Sequence, residues 1–288
     1  MSHSVTKTKI RNFKTQIINL KLLSNNRSGA EAYKDIIEKI HKQKIHIPVY
    51  GEMQHLILRT QFCDVVRIEG KDVEVIYGKV AKYTVIDGKD WINLNNMEIE
   101  AVDLPANYFP NIKETDYIFI PDAHRLVIVN GYGISINHLY KFMHQAVKDV
   151  IGIDEQHEVI IEQSEDVFTR IFNADAIQKL YIDISYSNAD IGDEAYEFMD
   201  GQMKASDVGR LKMEIAPNHN SCLKTDNVLL GGAIKVARSN GYVKANIIEN
   251  GDKVKIDTKE HPRVELIQCE EIELRLQIVR RIMNIFRK

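Results

Sequence analysis

The sequence predicts an α+β fold with mixed or antiparallel sheets and packed helices: ferredoxin-like elements in the second half, a small curved antiparallel sheet in the first. Three observations predict it. Hydrophobic periodicity switches along the chain between two and about 3.6 residues, the strand and helix periods. Strands are often joined directly by tight turns, which argues against a doubly wound sheet. No strand is followed by GxGxxG or GxxxxGK[ST]. With 288 residues, 44% of them hydrophobic and 27% charged, the chain can bury a large core and has the length of two modules.

Asn12–Leu23 reads as a first strand, with mixed polarity and partial alternation. SNNRSG is turn-rich, and AEAYKDIIEKIHKQ follows as a helix: Tyr33, Ile36, Ile37 and Ile40 form its apolar stripe and its end is basic. From Ile45 to Ile99 the period becomes two. HIPVYGE, HLILRTQF, DVVRIEG, KDVEVIYGKVAKYTVIDG and KDWINLNN read as short strands, with EGKD and DGKD as tight connections. Pro105 and Pro110 make Asp103–Pro110 a connector, so the expected modules are 1–107, a basic helix with an antiparallel β unit, and 108–288, an α+β domain ending in a basic helix.

In the second half, residues 116–129 read as two apolar strands joined at Pro121–Ala123, and Ser135 as the N-cap of a helix striped by Leu139, Phe142, Met143, Ala146 and Val147. EVIIEQ is a strand, QSEDVFTRIFNA a helix, and Leu180–Tyr186 a strong strand. An acidic, mostly helical stretch is expected from Asp190 to Leu211, followed by the strand KMEIAP. NVLLGGAIKVARSNG is a helix whose Gly231–Gly232 suggests a kink or close packing. Asn250–Gly251 between alternating runs is a type I′ hairpin signature. The last helix, EEIELRLQIVRRIMNIFRK, carries Ile272, Leu276, Val279, Met283 and Phe286 on one face.

The formal charge of −3 hides its arrangement: residues 1–59 sum to +7, 60–148 to −3, 149–202 to −12 and 203–288 to +5. Two basic ends around an acidic middle suit an anion-binding face, attraction between segments, or a two-fold interface, as well as ordinary solvated faces. The basic start lacks an apolar signal region and no window of 18 apolar residues exists, so a cytoplasmic protein with no membrane insertion is expected. Three widely spaced cysteines give neither a disulfide framework nor CxxC, and the histidine spacing suits no metal site; no metal or cofactor is expected.

Serine hydrolase and kinase signatures are missing. His124, Arg125 and Tyr132 are near enough in sequence to serve as base and cationic stabiliser of a metal-independent ribonuclease, or simply as a polar hairpin edge. Nucleic-acid contact has the broader support. Lys7, Lys9, Arg11, Lys14 and Lys21 precede a helix bearing Lys34, Lys39 and Lys42, with Lys44 just beyond. Phe13, Asn25, Asn26 and Tyr33 are interleaved among them, as a phosphate-tracking surface with some stacking requires. Arg275, Arg280, Arg281, Arg287 and Lys288 form a second basic patch.

Phe109–Pro110, IFIPDAHRLVIVNGYGIS at 118–135, LYIDISYSNAD at 180–190, and ARSNGYVKA with TKEHP at 237–262 resemble an uncharacterised bacterial family, a domain of unknown function linked to phage defence. The layout is also faintly similar to the Rex exclusion protein A of lambdoid phages. These resemblances imply a DNA-binding homodimer in a defence module, with a second protein of the same operon as partner, and carry no catalytic residues. The resulting expectation is a sensor or effector subunit that binds nucleic acid, DNA rather than RNA. The alternatives are the ribonuclease and a protein–protein scaffold whose acidic 149–202 region meets a basic partner.

Overall fold

The computed structural model describes residues 9–24, 26–131, 133–185 and 201–286. Its architecture is α+β and almost wholly antiparallel. A curled eight-stranded sheet runs β14-β1-β8-β7-β4-β3-β2, with β9 on the same side of β1 as β14. The strands are β1 (Arg11–Leu23), β2 (His46–Tyr50), β3 (Gln54–Ile68), β4 (Lys71–Thr84), β7 (Lys113–Ile120), β8 (Arg125–Val129), β9 (Gln156–Ile161) and β14 (Val264–Cys269). A four-stranded sheet has the order β11 (Arg210–Ile215), β10 (Ala176–Ser185), β12 (Gly241–Glu249), β13 (Asp252–Asp257). A small hairpin, β5 (Trp91–Asn93) with β6 (Glu98–Glu100), stands apart.

β1 organises the large sheet. Its first half, Arg11–Gln16, pairs with β14, its second half, Ile18–Leu23, with β9, and its other edge with β8. Alternation along β1 sends Ile18, Leu20 and Leu22 to one face and Ile17 to the other. Helices α1 (Gly29–Lys42) and α2 (Ile136–Val150) cover the first face through Tyr33, Ile36, Leu139 and Phe142. The last helix, α5 (Leu274–Phe286), covers the second through Ile278, Val279 and Ile282. Ser135 caps α2 as its sequence position suggests. The four-stranded sheet packs one face against α3 (Glu165–Phe172) and α4 (Val228–Asn240).

Several expectations are corrected. HLILRTQF and DVVRIEG are one 15-residue strand, because a bulge between Leu58 and Thr60 absorbs the break in alternation. β14 is an additional strand. The curved sheet does not belong to the first half alone: the 107/108 boundary falls inside it, since β4 pairs with β7 and β1 with β8, β9 and β14. Within the expected acidic stretch, residues 201–205 are helical, while everything up to residue 200 lies outside the described residues. The Asn250–Gly251 turn has both residues at positive φ, 52° and 85°, as type I′ demands. At Gly231 an added Cβ would stand 2.4 Å from the Thr225 carbonyl oxygen, so the glycine serves close packing.

A buried polar seam joins the two sheets. Asn19 Nδ2 donates to Ser239 O (2.9 Å), Lys21 Nζ to Ser185 Oγ (3.2 Å) and Gln163 Nε2 to Gly241 O. Arg125, fully buried, pairs with buried Glu162 at 2.9 Å and donates to Asn19 Oδ1 at 2.8 Å. Burial pushes the Glu162 carboxyl up, against the charges of Arg125 and Arg263. No helix among the described residues is long and apolar enough to cross a membrane.

Candidate nucleic-acid interface

Five of the cations singled out in the sequence are already paired with acids. Arg11 pairs with Glu271 (2.8 Å), Lys34 with Glu74, Lys39 with Asp35 (2.8 Å), Arg275 with Asp64 (2.8 Å) and Arg281 with Glu265 (2.7 Å). Hydrogen bonding to Glu74 raises the Lys34 ammonium pKa, so its charge is held for that partner. Lys9, Lys14, Lys42 and Arg280 are exposed. Lys7, Asn25, Arg287 and Lys288 lie outside the described residues. Phe13 and Tyr33 pack into the cores, Asn26 bonds Asp154, and Lys21 is buried in the seam, so none of the four offers a stacking or phosphate surface. α1 and α5 cover opposite faces of the sheet, so the two basic patches do not form one surface.

The ribonuclease set does not assemble. His124 takes a left-handed conformation (φ 53°) and stacks on Tyr33 with ring centroids 4.0 Å apart. Arg125 turns to the other face, its guanidinium 4.3 Å from the Phe286 ring centroid. Burial, with the charges of Arg125 and Lys21, holds the His124 pKa down to about 4. Tyr132 lies outside the described residues.

A different group of cations comes together around the N-terminus of α2. Lys82 on β4 is directly opposite Lys113 on β7, and Lys14 on β1 accepts the Asn130 N–H through its carbonyl at the end of β8 (2.7 Å). Strand alternation places all three on the face that carries α2, with Val80, Tyr117 and Ile18 of the same parity in its core. Lys82 donates to the Gly133 carbonyl and Lys141 to the Val49 carbonyl (3.2 Å). His138 closes a capping box with Ser135: its Nδ1 accepts the Ser135 N–H, which leaves Nε2 to point away. Exposed Tyr50 meets the His138 ring edge-on, centroids 6.2 Å apart. Among the described residues, none of Lys14, Lys82, Lys113 and Lys141 takes part in an ion pair.

The electrostatics agree with that crowding. Burial and the charge of Lys113 lower the Lys82 pKa. Burial, Lys82 and Lys141 lower that of His138. On the reverse face of the same sheet end, Phe109 stacks on Tyr83 (5.2 Å), beside His46 and His55 whose Nδ1 atoms are 3.1 Å apart. Sequence reading missed Lys82, Lys113 and Lys141 because they stand far apart in the chain. The available signal was the glycine turn 131–133 running into a capped helix.

Residues 11–284 match a family described as a domain of unknown function, DUF4747. The chain belongs to the DUF4747 family. No curated protein matches it. The DUF4747 match names no activity and carries no link to phage defence or to the Rex protein. In this DUF4747 chain, Arg125 from segment 118–135, Ser185 from 180–190 and Asn240 and Gly241 from 237–262 all stand at the seam between the sheets. Among the described residues, no group of three or more His, Cys, Asp or Glu is placed to hold a metal ion.

Proposed function

We propose that the protein binds nucleic acid, in the first place through phosphate contacts. The observation that supports this reading is the row of Lys14, Lys113, Lys82 and Lys141 beside His138 and the α2 N-terminus, none of whose lysines is neutralised by a described carboxylate. Tyr50 adds a ring on which a base can stack. Preference for DNA over RNA, a homodimer, a second operon protein as partner, and a cytoplasmic role as sensor or effector in anti-phage defence complete the proposal. Their support is the sequence resemblance and, for the cytoplasmic location, the lack of an apolar signal region in the sequence.

Fluorescence anisotropy with labelled DNA and RNA oligonucleotides across a salt series tests it. Affinity should fall steeply with salt, and each lysine removed from the row should flatten the log–log slope by about 1. The triple variant K82M/K113M/K141M should therefore bind weakly and with little salt dependence, while K34M, whose lysine is already paired, should behave as wild type. Salt-independent binding, or a triple variant equal to wild type, would overturn the reading.

A further inference from the structure

A cavity of ≈ 350 Å³ opens between the two sheets, and none of the four lysines of the row lines it. One wall is α2, with Tyr140 and His144; the other is the face of the four-stranded sheet that no helix of the described residues covers, with Asp183 and Tyr242; β9 and Gly241 lie between. Its size is at the lower end of small-molecule sites, roughly 300–1,000 Å³. That suits one nucleotide better than a strand.

Three kinds of group face it. Lys259 Nζ sits 3.6 Å from the Tyr242 ring centroid. The acids near it are taken: Asp183 holds Arg210 in a bidentate pair (2.6 and 2.9 Å), and Asp257 holds Lys244 (2.8 Å). Among the described residues Lys259 is in no ion pair; Asp183 and Asp257 act on it only at longer range, and the cavity's other carboxylate, Glu158, stands 4.0 Å from Arg210. Gln163 is only 3% exposed, and its Nε2 donates to Gly241 O. That bond fixes the amide, leaving Oε1 buried with no donor, a desolvation cost that a ligand N–H would remove. His157 is set likewise: Nε2 donates to the His144 carbonyl (2.8 Å), so Nδ1 is an acceptor. Finally, Tyr140 and His144 lie parallel within 8°, with His157 5.1 Å from His144, giving flat surfaces beside the acceptors.

We infer that this cavity binds a nucleoside monophosphate whose base carries an exocyclic amine. The amine donates to Gln163 Oε1, the base lies against the Tyr140 and His144 rings, and the phosphate meets Lys259. A ligand without the amine leaves Gln163 unsatisfied, and one without the phosphate leaves Lys259 unpaired. Discrimination therefore falls on those two groups, because a site built around buried polar atoms rejects a ligand that does not pair them.

Isothermal titration of the full chain with AMP, IMP, CMP, UMP, adenosine and inorganic phosphate tests the inference. AMP or CMP should saturate one site per chain. IMP and UMP should bind at least about tenfold more weakly than their amino counterparts, as should adenosine compared with AMP. K259M should lower AMP affinity to that of adenosine, and Q163L should erase the AMP-over-IMP preference, with thermal melting showing that each variant is folded. The K82M/K113M/K141M variant should keep wild-type AMP binding, so failure of this site and failure of the lysine row are separate results. Absence of saturable AMP or CMP binding, equal affinity for AMP and IMP, AMP binding that K259M leaves unchanged, or its loss in the lysine-row variant would overturn the inference.

Discussion

At His124 the backbone turns left-handed and lays the imidazole on Tyr33, while the next residue sends its guanidinium through the sheet to Glu162. The sequence marks both residues as unusual, but the left-handed turn before β8 sends these adjacent side chains to opposite faces of the sheet rather than joining them. Two predictions belong here. The folded protein keeps His124 neutral down to about pH 4, whereas an unfolded histidine binds a proton below about 6.5. The unfolded state therefore gains protons first as pH falls, and stability drops through that window by up to about 3 kcal/mol. H124F, which keeps the stacking, should lose correspondingly less stability than wild type in urea titrations at pH 7 and pH 4; equal losses would refute the assignment. R125M should cost about 3–5 kcal/mol, because Glu162 stays buried without its partner, and R125M/E162L should recover part of that loss.

Helix α5 shows what periodicity can and cannot report. Of the stripe read from the sequence, Val279, Met283 and Phe286 are buried and Leu276 partly so, whereas Ile272 precedes the helix and is 86% exposed. Its arginines were legible only as charge, since their acids, Asp64 and Glu265, come from other strands. Glu265 on β14 holds this helix down: burial alone would raise its carboxyl, but hydrogen bonds from Arg263 and Arg281 outweigh that and keep it below the ordinary value. A lowered carboxyl contributes stability above its ordinary pKa, which is lost as pH falls through the folded value. E265Q should thus cost about 1.5–3 kcal/mol at neutral pH and less in acid, with urea midpoints at pH 7 and pH 4 as the check. The strand β14 was missed from the sequence, although the alternation of VELIQC, buried at every second residue, is its signal.

For the whole molecule, fold class was readable and long-range strand pairing was not. Composition changes at the proline-flanked connector 103–110, yet the strands on either side of it are neighbours in one sheet, and hydrogen-bond partners across such distances leave no local mark. The candidate interface was hidden for the same reason: of its row, only Lys14 lies in a basic segment of sequence, while Lys82, Lys113 and Lys141 are assembled by strand pairing and helix docking. A fragment of residues 108–288 lacks β1 and β4, leaving β7, β8, β9 and β14 without principal partners. Expressed alone, it should keep only the four-stranded sheet's core and so unfold in urea, followed by circular dichroism, with a much smaller m-value than the full chain; an m-value in proportion to its length would support the expected boundary.

The divided edge of β1 also sets a timetable. Its first half waits for β14, as the contact between Arg11 and Glu271, 260 residues apart, makes plain. During synthesis the strand made first must remain unzipped along that half until nearly the whole chain has left the ribosome. Long-range closure of this kind slows refolding and leaves a sticky edge in the interim, so yield on dilution from denaturant should depend on protein concentration and improve with a holdase chaperone.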